Sequence, residues 1–349
     1  MKKILILSPG LDQALAIARF IRKYGDGWML HGGLLEGESF KGSNYYDKIV
    51  KVRDVKDLKK YDCVLPTGAK STHWMITHVG DFFVNGILYS KKNLQYFDKY
   101  NIICRLSALG IKVPKTYRSI KEIDAYPVFY KPKFEEGGGS RGIAFSFEEL
   151  HKLPEKHKLI FQEYIPGRTT YGVGFIAQDN KILTSFQHAE QLSIPIQGGS
   201  AVYIRRFNDE RLLAYTQKII EHLGFSGWGL AEFKYCHKRQ DYVFMEINAK
   251  LWASIEFAIL NNNKFLKYMF NIEHPENYTD SALYIERLIA LGWPKYIQNI
   301  HYLFRSKKII KYRDLKELLL LLAYNSVPPI VRRAIKKTSI SMKAVSWPT

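Results

Sequence analysis

Residues 229–248, GLAEFKYCHKRQDYVFMEIN, constrain this chain more than any other stretch. Two β-rich runs flank a polar turn, HKRQD, which is the pattern of a β-hairpin. A turn centred on Arg239 sets Tyr235 across from Val243 and Glu232 across from Glu246. Asn248 lies two residues past Glu246 and therefore points to the same face. Two carboxylates about 5 Å apart across a ladder repel each other. A divalent cation offsets that repulsion. Two carboxylates and an amide oxygen make a hard, all-oxygen set suited to Mg²⁺ that also holds substrate phosphates. The plainer alternative is an exposed hairpin with solvated acids.

Residues 128–143, VFYKPKFEEGGGSRGI, add a second signal. Strand VFYK ends on Lys131, with Lys133 just beyond, and a loop with Gly137, Gly138, Gly139 and Ser140 follows. Glycines let backbone N–H groups approach phosphate oxygens without a Cβ in the way. Standing alone, the stretch reads more readily as an ordinary flexible hairpin loop. FQEYIPG, residues 161–167, reads as a strand ending in a Pro-Gly turn and by itself says nothing of function.

Composition narrows the class. A length of 349 residues suggests two or three domains. With 46% hydrophobic and 24% charged residues, the chain is neither disordered throughout nor collagen-like. Three scattered cysteines, Cys63, Cys104 and Cys236, argue against a zinc ribbon or a disulfide frame and for a reducing compartment. The first residues, MKKILILSPG, hold too short an apolar run for a signal peptide. The longest apolar block, Leu318 to Tyr324, is far short of a membrane span. The expectation is a soluble, cytoplasmic protein. The net charge of +19 predicts a polyanionic partner or surface. Residues 281–349 carry 13 Lys+Arg against 3 Asp+Glu. No helix-turn-helix, zinc finger or RNP-like pattern accompanies that charge, so nucleic acid is not the expected partner.

Along the chain, KILILS reads as a buried strand, followed by a Pro-Gly turn and a helix from Asp12 to Tyr24. YDCVLPTG at 61–68 repeats the strand-turn-helix idea. Residues 1–95 are read as a small α/β domain of the open, doubly wound type, without a GxGxxG fingerprint. A helical pattern over 91–113 stops at Gly110, and Pro114 follows. Residues 126–165 read as strand, Gly-rich loop, strand, helix, strand. Further strands are expected near 171–177, 181–187, 228–236 and 242–248.

The order YKP with its Gly-rich loop, FQEYIPG, GLAEF and FMEINAKLWASIEFA resembles the ATP-grasp superfamily, in particular its carboxylate–amine ligase branch. The resemblance covers roughly residues 90–260. It implies an α+β class, in which two antiparallel sheets sandwich ATP after a small α/β domain, with a helical, basic C-terminal tail. The implied domains are 1–95, 96–280 with a lid at about 115–167, and 281–349. It implies that Lys99 and Lys131 contact the phosphates and that Gly137, Gly138, Gly139 and Ser140 close over them. Glu163, Tyr164 and Ile165 would pair with adenine through their backbone, aided by the Gln162 or Glu163 side chain. Glu232, Glu246 and Asn248 would bind one or two Mg²⁺, with Mn²⁺ as a substitute. Lys250 stands where the family usually has an arginine that steadies the transferred phosphoryl group, and it lacks the bidentate fork. Ala249 replaces a usual proline. Many relatives hold the ribose hydroxyls with an acid shortly after the hinge glycine. Here the stretch is Arg168-Thr169-Thr170, so that contact must come from elsewhere.

The implied chemistry activates a carboxylate as an acylphosphate and joins it to an amine. HAEQLSIPIQGGSAVYIRR, 188–206, resembles the acceptor-side segment of these ligases, with Arg205 and Arg206 suited to an anionic acceptor. An exposed basic edge strand is the alternative. His188 is a candidate base, though a lone histidine is more often a bystander. DLKELLLLLAYNSVPPIVRRAIKK, 314–337, fits either a packed C-terminal helix or an element on an anionic membrane, with cell-surface glycan or peptide-like metabolite synthesis as the setting. A homodimer is compatible with the resemblance. The rival functions are a carboxylase-type ATP-grasp enzyme and a catalytically silent nucleotide-binding scaffold.

Overall fold

KILIL is an uninterrupted apolar run, and it forms β1 (Lys3–Leu7), the buried inner strand of a parallel sheet. The computed structural model describes residues 2–309 except 41, 136–138 and 197. α1 (Asp12–Tyr24) follows β1, then β2 (Met29–Leu34), β3 (Lys48–Lys51), β4 (Cys63–Pro66) and α2 (Ala69–His78). The sheet runs β3-β2-β1-β4, all parallel, as the open α/β reading expects. The hairpin β5 (Phe82–Val84) and β6 (Ile87–Tyr89) leads to α3 (Lys99–Ala108), which Asp98 caps by accepting from the Asn101 N–H.

A four-stranded antiparallel sheet comes next. It is built from β7 (Thr116–Tyr117), β8 (Val128–Pro132), β9 (Gly142–Ala144) and β10 (Leu159–Glu163), with α4 (Phe147–His151) between the last two. Its order is β7-β10-β8-β9. It has its own small core of Tyr117, Val128, Ala144, Leu150, Leu159 and Phe161, separate from the main one.

The larger sheet has seven strands in the order β15-β14-β11-β12-β13-β16-β17. They are β11 (Thr170–Gln178), β12 (Lys181–Ile194), β13 (Ser200–Arg206), β14 (Gly227–Cys236), β15 (Asp241–Asn248), β16 (Ser281–Tyr284) and β17 (Lys307–Ile309). α5 (Glu210–Leu223) joins β13 to β14, and α6 (Ile255–Asn261) and α7 (Lys264–Phe270) follow β15. α8 (Ile285–Ala290), α9 (Trp293–Asn299) and α10 (Tyr302–Arg305) lie between β16 and β17. The stretch from 285 to 305 is thus largely helical, as expected, while strands at 281–284 and 307–309 extend the large sheet. The segment 314–337 lies outside the described residues.

Close packing on this sheet depends on one glycine in particular. A Cβ at Gly174 would collide with the indole ring of Trp252, which is buried against Phe265. Gly174→Ala should therefore destabilise the fold by about 1–3 kcal/mol. Chemical denaturation checks this, and an unchanged midpoint would show that Trp252 has room to move.

Candidate active site

β14 and β15 form the hairpin that the sequence implied, with one correction. At the tip Tyr235 pairs with Tyr242, and Lys234 takes Val243, so the register is one residue off the expected one. Between the Phe233–Phe244 and Glu232–Glu246 pairs, two residues of β15 oppose one of β14. That bulge restores the opposition of Glu232 to Glu246. Asn248 pairs with Leu230 and sits on the same face.

Three lysines converge on these acids. Lys131 Nζ lies 2.8 Å and Lys99 Nζ 3.1 Å from Glu246 Oε2. Lys99 also meets Glu135 Oε2 at 2.8 Å, and Lys250 meets Glu135 Oε1 at 3.4 Å. Lys250 Nζ donates to Asn248 Oδ1 at 3.1 Å, and Asn248 Nδ2 donates to Glu232 Oε1 at 3.2 Å. Lys131 reaches the cluster from β8, and Lys99 from the first turn of α3. Backbone bonds from Lys99 N to Lys133 O and from Glu135 N to Phe97 O clamp these two segments together.

The electrostatics follow from this geometry. Burial alone pushes the Glu246 carboxyl up, but Lys131 and Lys99 overcome it and hold the group well below the usual range. Glu232 is raised to about 7 by burial and by the charge of Glu246. Burial likewise opposes ionisation of Glu135, yet Lys250 and Lys99 bring it down to about 2. Lys99 and Lys131 share Glu246 but shift in opposite directions. Burial depresses both. Lys99 has a second carboxylate, Glu135, that more than compensates, whereas Lys131 has Glu246 and the repulsion of Lys99.

Two opposed carboxylates and an amide converge here, and one acid stays uncompensated enough to titrate near neutrality. A divalent cation fits that donor set. Among the described residues no group of three or more His, Cys, Asp or Glu is arranged around a metal position. The protein thus offers two carboxylates and an amide, which leaves the remaining coordination to phosphates and water.

The other expected residues distribute unevenly. Ile165, just after β10, packs with Cys236, Val243 and Met245 in a small apolar cluster. Glu163 has its backbone N–H bound to Lys115 O at 2.7 Å and its carboxylate held by Arg239, so its side chain is committed to the tip of the β14–β15 hairpin. Gln162 is fully buried, donates to Thr116 Oγ1 at 2.9 Å and leaves its Oε1 without a partner. Gly139 and Ser140 are exposed, while Gly137 and Gly138 fall outside the described residues. Arg205 and Arg206 are exposed at the end of β13, with Arg206 over the Tyr278 ring. Neither shares an ion pair with the cluster among the described residues. Glu135 is the residue that sequence reasoning missed. Its only signal is its place in the run FEEGGG, and no periodicity marks it.

His188 pairs across the ladder with Gly172, which in turn pairs with Glu232. A Cβ at Gly172 would sit 2.6 Å from His188 Cε1, so the imidazole occupies the space this glycine leaves. Burial lowers the pKa of His188 to about 4. The native state therefore binds fewer protons than the unfolded chain between pH 4 and 6.5. His188 costs nothing above pH 6.5 and destabilises the fold as pH falls toward 4, by about 3 kcal/mol at most. His188→Gln should flatten that part of the stability–pH profile, measured by urea unfolding. An unchanged slope would place the titration elsewhere.

The family model described as an ATP-grasp domain matches residues 96–254. The described part of this stretch has the ATP-grasp fold. No curated protein matches the chain significantly. Among solved structures, a biotin carboxylase complex from Campylobacter jejuni is similar at TM-score 0.55 and 16% identity, over 79% of this chain and 72% of that one. Phosphoribosylglycinamide synthetase from Anaerococcus prevotii is similar at TM-score 0.53 and 16% identity, over 75% and 72%. Pyruvate carboxylase from Rhizobium etli is similar at TM-score 0.57 and 15% identity, over 75% of this chain but 27% of its own length. At these identities the ATP-grasp likeness establishes the fold. The lysine–carboxylate cluster joins the four-stranded sheet, through Lys131, to the seven-stranded sheet, through Glu246.

Proposed function

We propose that this ATP-grasp protein is an ATP-dependent ligase that activates a carboxylate as an acylphosphate and joins it to an amine, forming an amide and releasing ADP and phosphate. The observation that carries the reading is the meeting of Lys99 and Lys131 on Glu246, opposite Glu232. Cations drawn from the lid and from α3 onto a buried acid pair form a phosphate cradle that can be loaded and emptied. The likeness in fold to the β,γ-ATP complex of the C. jejuni biotin carboxylase supports a nucleotide as the ligand.

In this mechanism Lys99 and Lys131 turn from Glu246 to the phosphates of ATP. Glu232, Glu246 and Asn248 would hold Mg²⁺, which supplies charge neutralisation along the phosphate chain. Lys250, steadied by Glu135 and Asn248, faces the transferred group. The substrate carboxylate oxygen forms a bond to the γ-phosphorus as the bridging P–O bond to ADP breaks. The amine nitrogen then forms a bond to the acyl carbon, phosphate leaves with the electrons of the C–O bond, and the amine gives up a proton. The lid over the site excludes water, which would otherwise hydrolyse the acylphosphate. Most of the protein's contribution is placement and fixed charge.

Among the described residues no helix is long and apolar enough to cross a membrane. The test is ADP and phosphate release from Mg²⁺-ATP across panels of acids and amines. Release that requires both an acid and an amine is the expected result. Release driven by bicarbonate alone would select carboxylase chemistry, and nucleotide binding without any substrate-dependent turnover would select a scaffold.

A further inference from the structure

The chemistry above leaves Glu190 unused. Glu190 pairs across the ladder with Thr170, and two residues along β11 Gly172 pairs with Glu232. Opposed residues share a face, and so do residues two apart, so Glu190 and Glu232 point into the same cleft. Tyr171 pairs with Phe233, which sets Thr170 beside Lys234, and Lys234 pairs with Val243. Val243, Lys234, Thr170 and Glu190 therefore form one row across four strands. The next row is Glu246, Glu232, Gly172 and His188.

The two rows have different neighbours. The first adjoins the hinge: Val243 packs with Ile165, and Lys234 Nζ donates to Gly167 O at 2.5 Å. The second row carries the metal ligands. A nucleotide with its base at the hinge and its phosphates at Glu246 must lay its sugar over the first row. Sugar hydroxyls are donors and need an acceptor. The chain at Arg168-Thr169-Thr170 supplies no carboxylate. Glu190, directly across from Thr170, does. Its charged neighbours in the cleft are Glu232, Arg287 and Lys234. Among the described residues no hydrogen bond or ion pair occupies its carboxylate.

We propose that Glu190 is the acceptor for the ribose hydroxyls of the bound nucleotide, supplied from β12 where the start of β11 has a threonine. This rests on the reading of the site as an ATP site. It makes the sugar a point of recognition that the sequence around the hinge does not show.

The experiment is calorimetric titration of the full chain with ATP, 2′-deoxy-ATP and 3′-deoxy-ATP in the presence of Mg²⁺. The protein should bind at least one deoxy nucleotide about tenfold more weakly than ATP, as expected for loss of a hydrogen bond to a charged group. Glu190→Ala should weaken ATP by about the same factor and leave that deoxy nucleotide unchanged, so discrimination disappears. Glu190→Gln, which keeps the shape and one acceptor, should fall between and carries the test if the alanine variant does not fold. Thr170→Val should keep the discrimination. Equal affinities for all three nucleotides would overturn the assignment while leaving the ATP reading in place. So would discrimination that survives in both Glu190 variants, or that vanishes in Thr170→Val instead. If the unaltered protein binds none of the three, the ATP reading itself fails and Glu190 falls with it.

Discussion

Glu246→Gln should reduce nucleotide turnover about a thousandfold while the protein still binds ATP. Glu246 is the acid on which Lys99 and Lys131 meet, at 3.1 and 2.8 Å, and the opposite number of Glu232 across the hairpin. Removing one preorganised charged group from a phosphoryl-transfer site costs about 10²–10³ in rate, and in the proposed mechanism this group serves both the cation and the lysines. Glutamine keeps an oxygen for Lys131 to donate to, so the local hydrogen bonding survives in part. The two lysines, freed from a carboxylate, remain attractive to phosphates. The expected pattern is therefore a collapse of phosphate release, retained calorimetric ATP binding and an unchanged far-UV spectrum. Full turnover would remove the metal assignment, and with it the central claim about the site.

Trp228→Ala should destabilise the protein by about 3–5 kcal/mol. Trp228 is fully buried in β14, with its ring centroid 4.8 Å from that of Tyr89 and 6.1 Å from that of Phe82. These two residues belong to the β5–β6 hairpin, so the indole joins that hairpin to the large sheet. The hydroxyl of Tyr89 donates to the carbonyl of Ala249, the residue between Asn248 and Lys250. Loss of the indole should therefore weaken the fold and loosen two site residues together. Among the described residues the Trp228 Nε1 has no partner, so Trp228→Phe removes an unsatisfied donor along with some volume. It should cost less than half as much. Urea denaturation of both variants checks the pair, and equal losses would mean that hydrophobic volume is not what holds this junction.

The elements that were legible in the sequence are those fixed by local chemistry. The helix Asp12–Tyr24 has its expected ends, and the strand expected over KILILS ends one residue early at Leu7, because apolar runs, a Pro-Gly turn and helical periodicity act within a few residues. The strand, loop, strand, helix, strand order over 126–165 follows from the same signals. The hairpin at 227–248 was legible too, since alternation and a polar turn specify both strands and the face that each side chain takes.

Its exact register was not legible. The tip pairs one residue away from the symmetric expectation, and a bulge near Met245 brings Glu246 back opposite Glu232. A bulge reflects packing on both faces of a sheet, with Phe233 and Phe244 buried on one side and the charged cluster on the other, and no local pattern encodes that competition. Glu135 and Glu190 were invisible for a related reason. Each gains its meaning from a partner far along the chain: Lys250 and Lys99 for Glu135, and the row through Thr170 for Glu190.

By itself the sequence determined which residue types could grip a phosphate chain, and which short stretches would be strand, turn or helix. Only the tertiary structure decided which charges meet. It gathered three lysines among three carboxylates, left Arg205 and Arg206 in solvent, and set Glu190 in the row through Thr170. The reason is physical. Backbone conformation is settled over a few residues, whereas the energy of a charge depends on its distance from other charges and from water, and those distances exist only once the sheets are assembled.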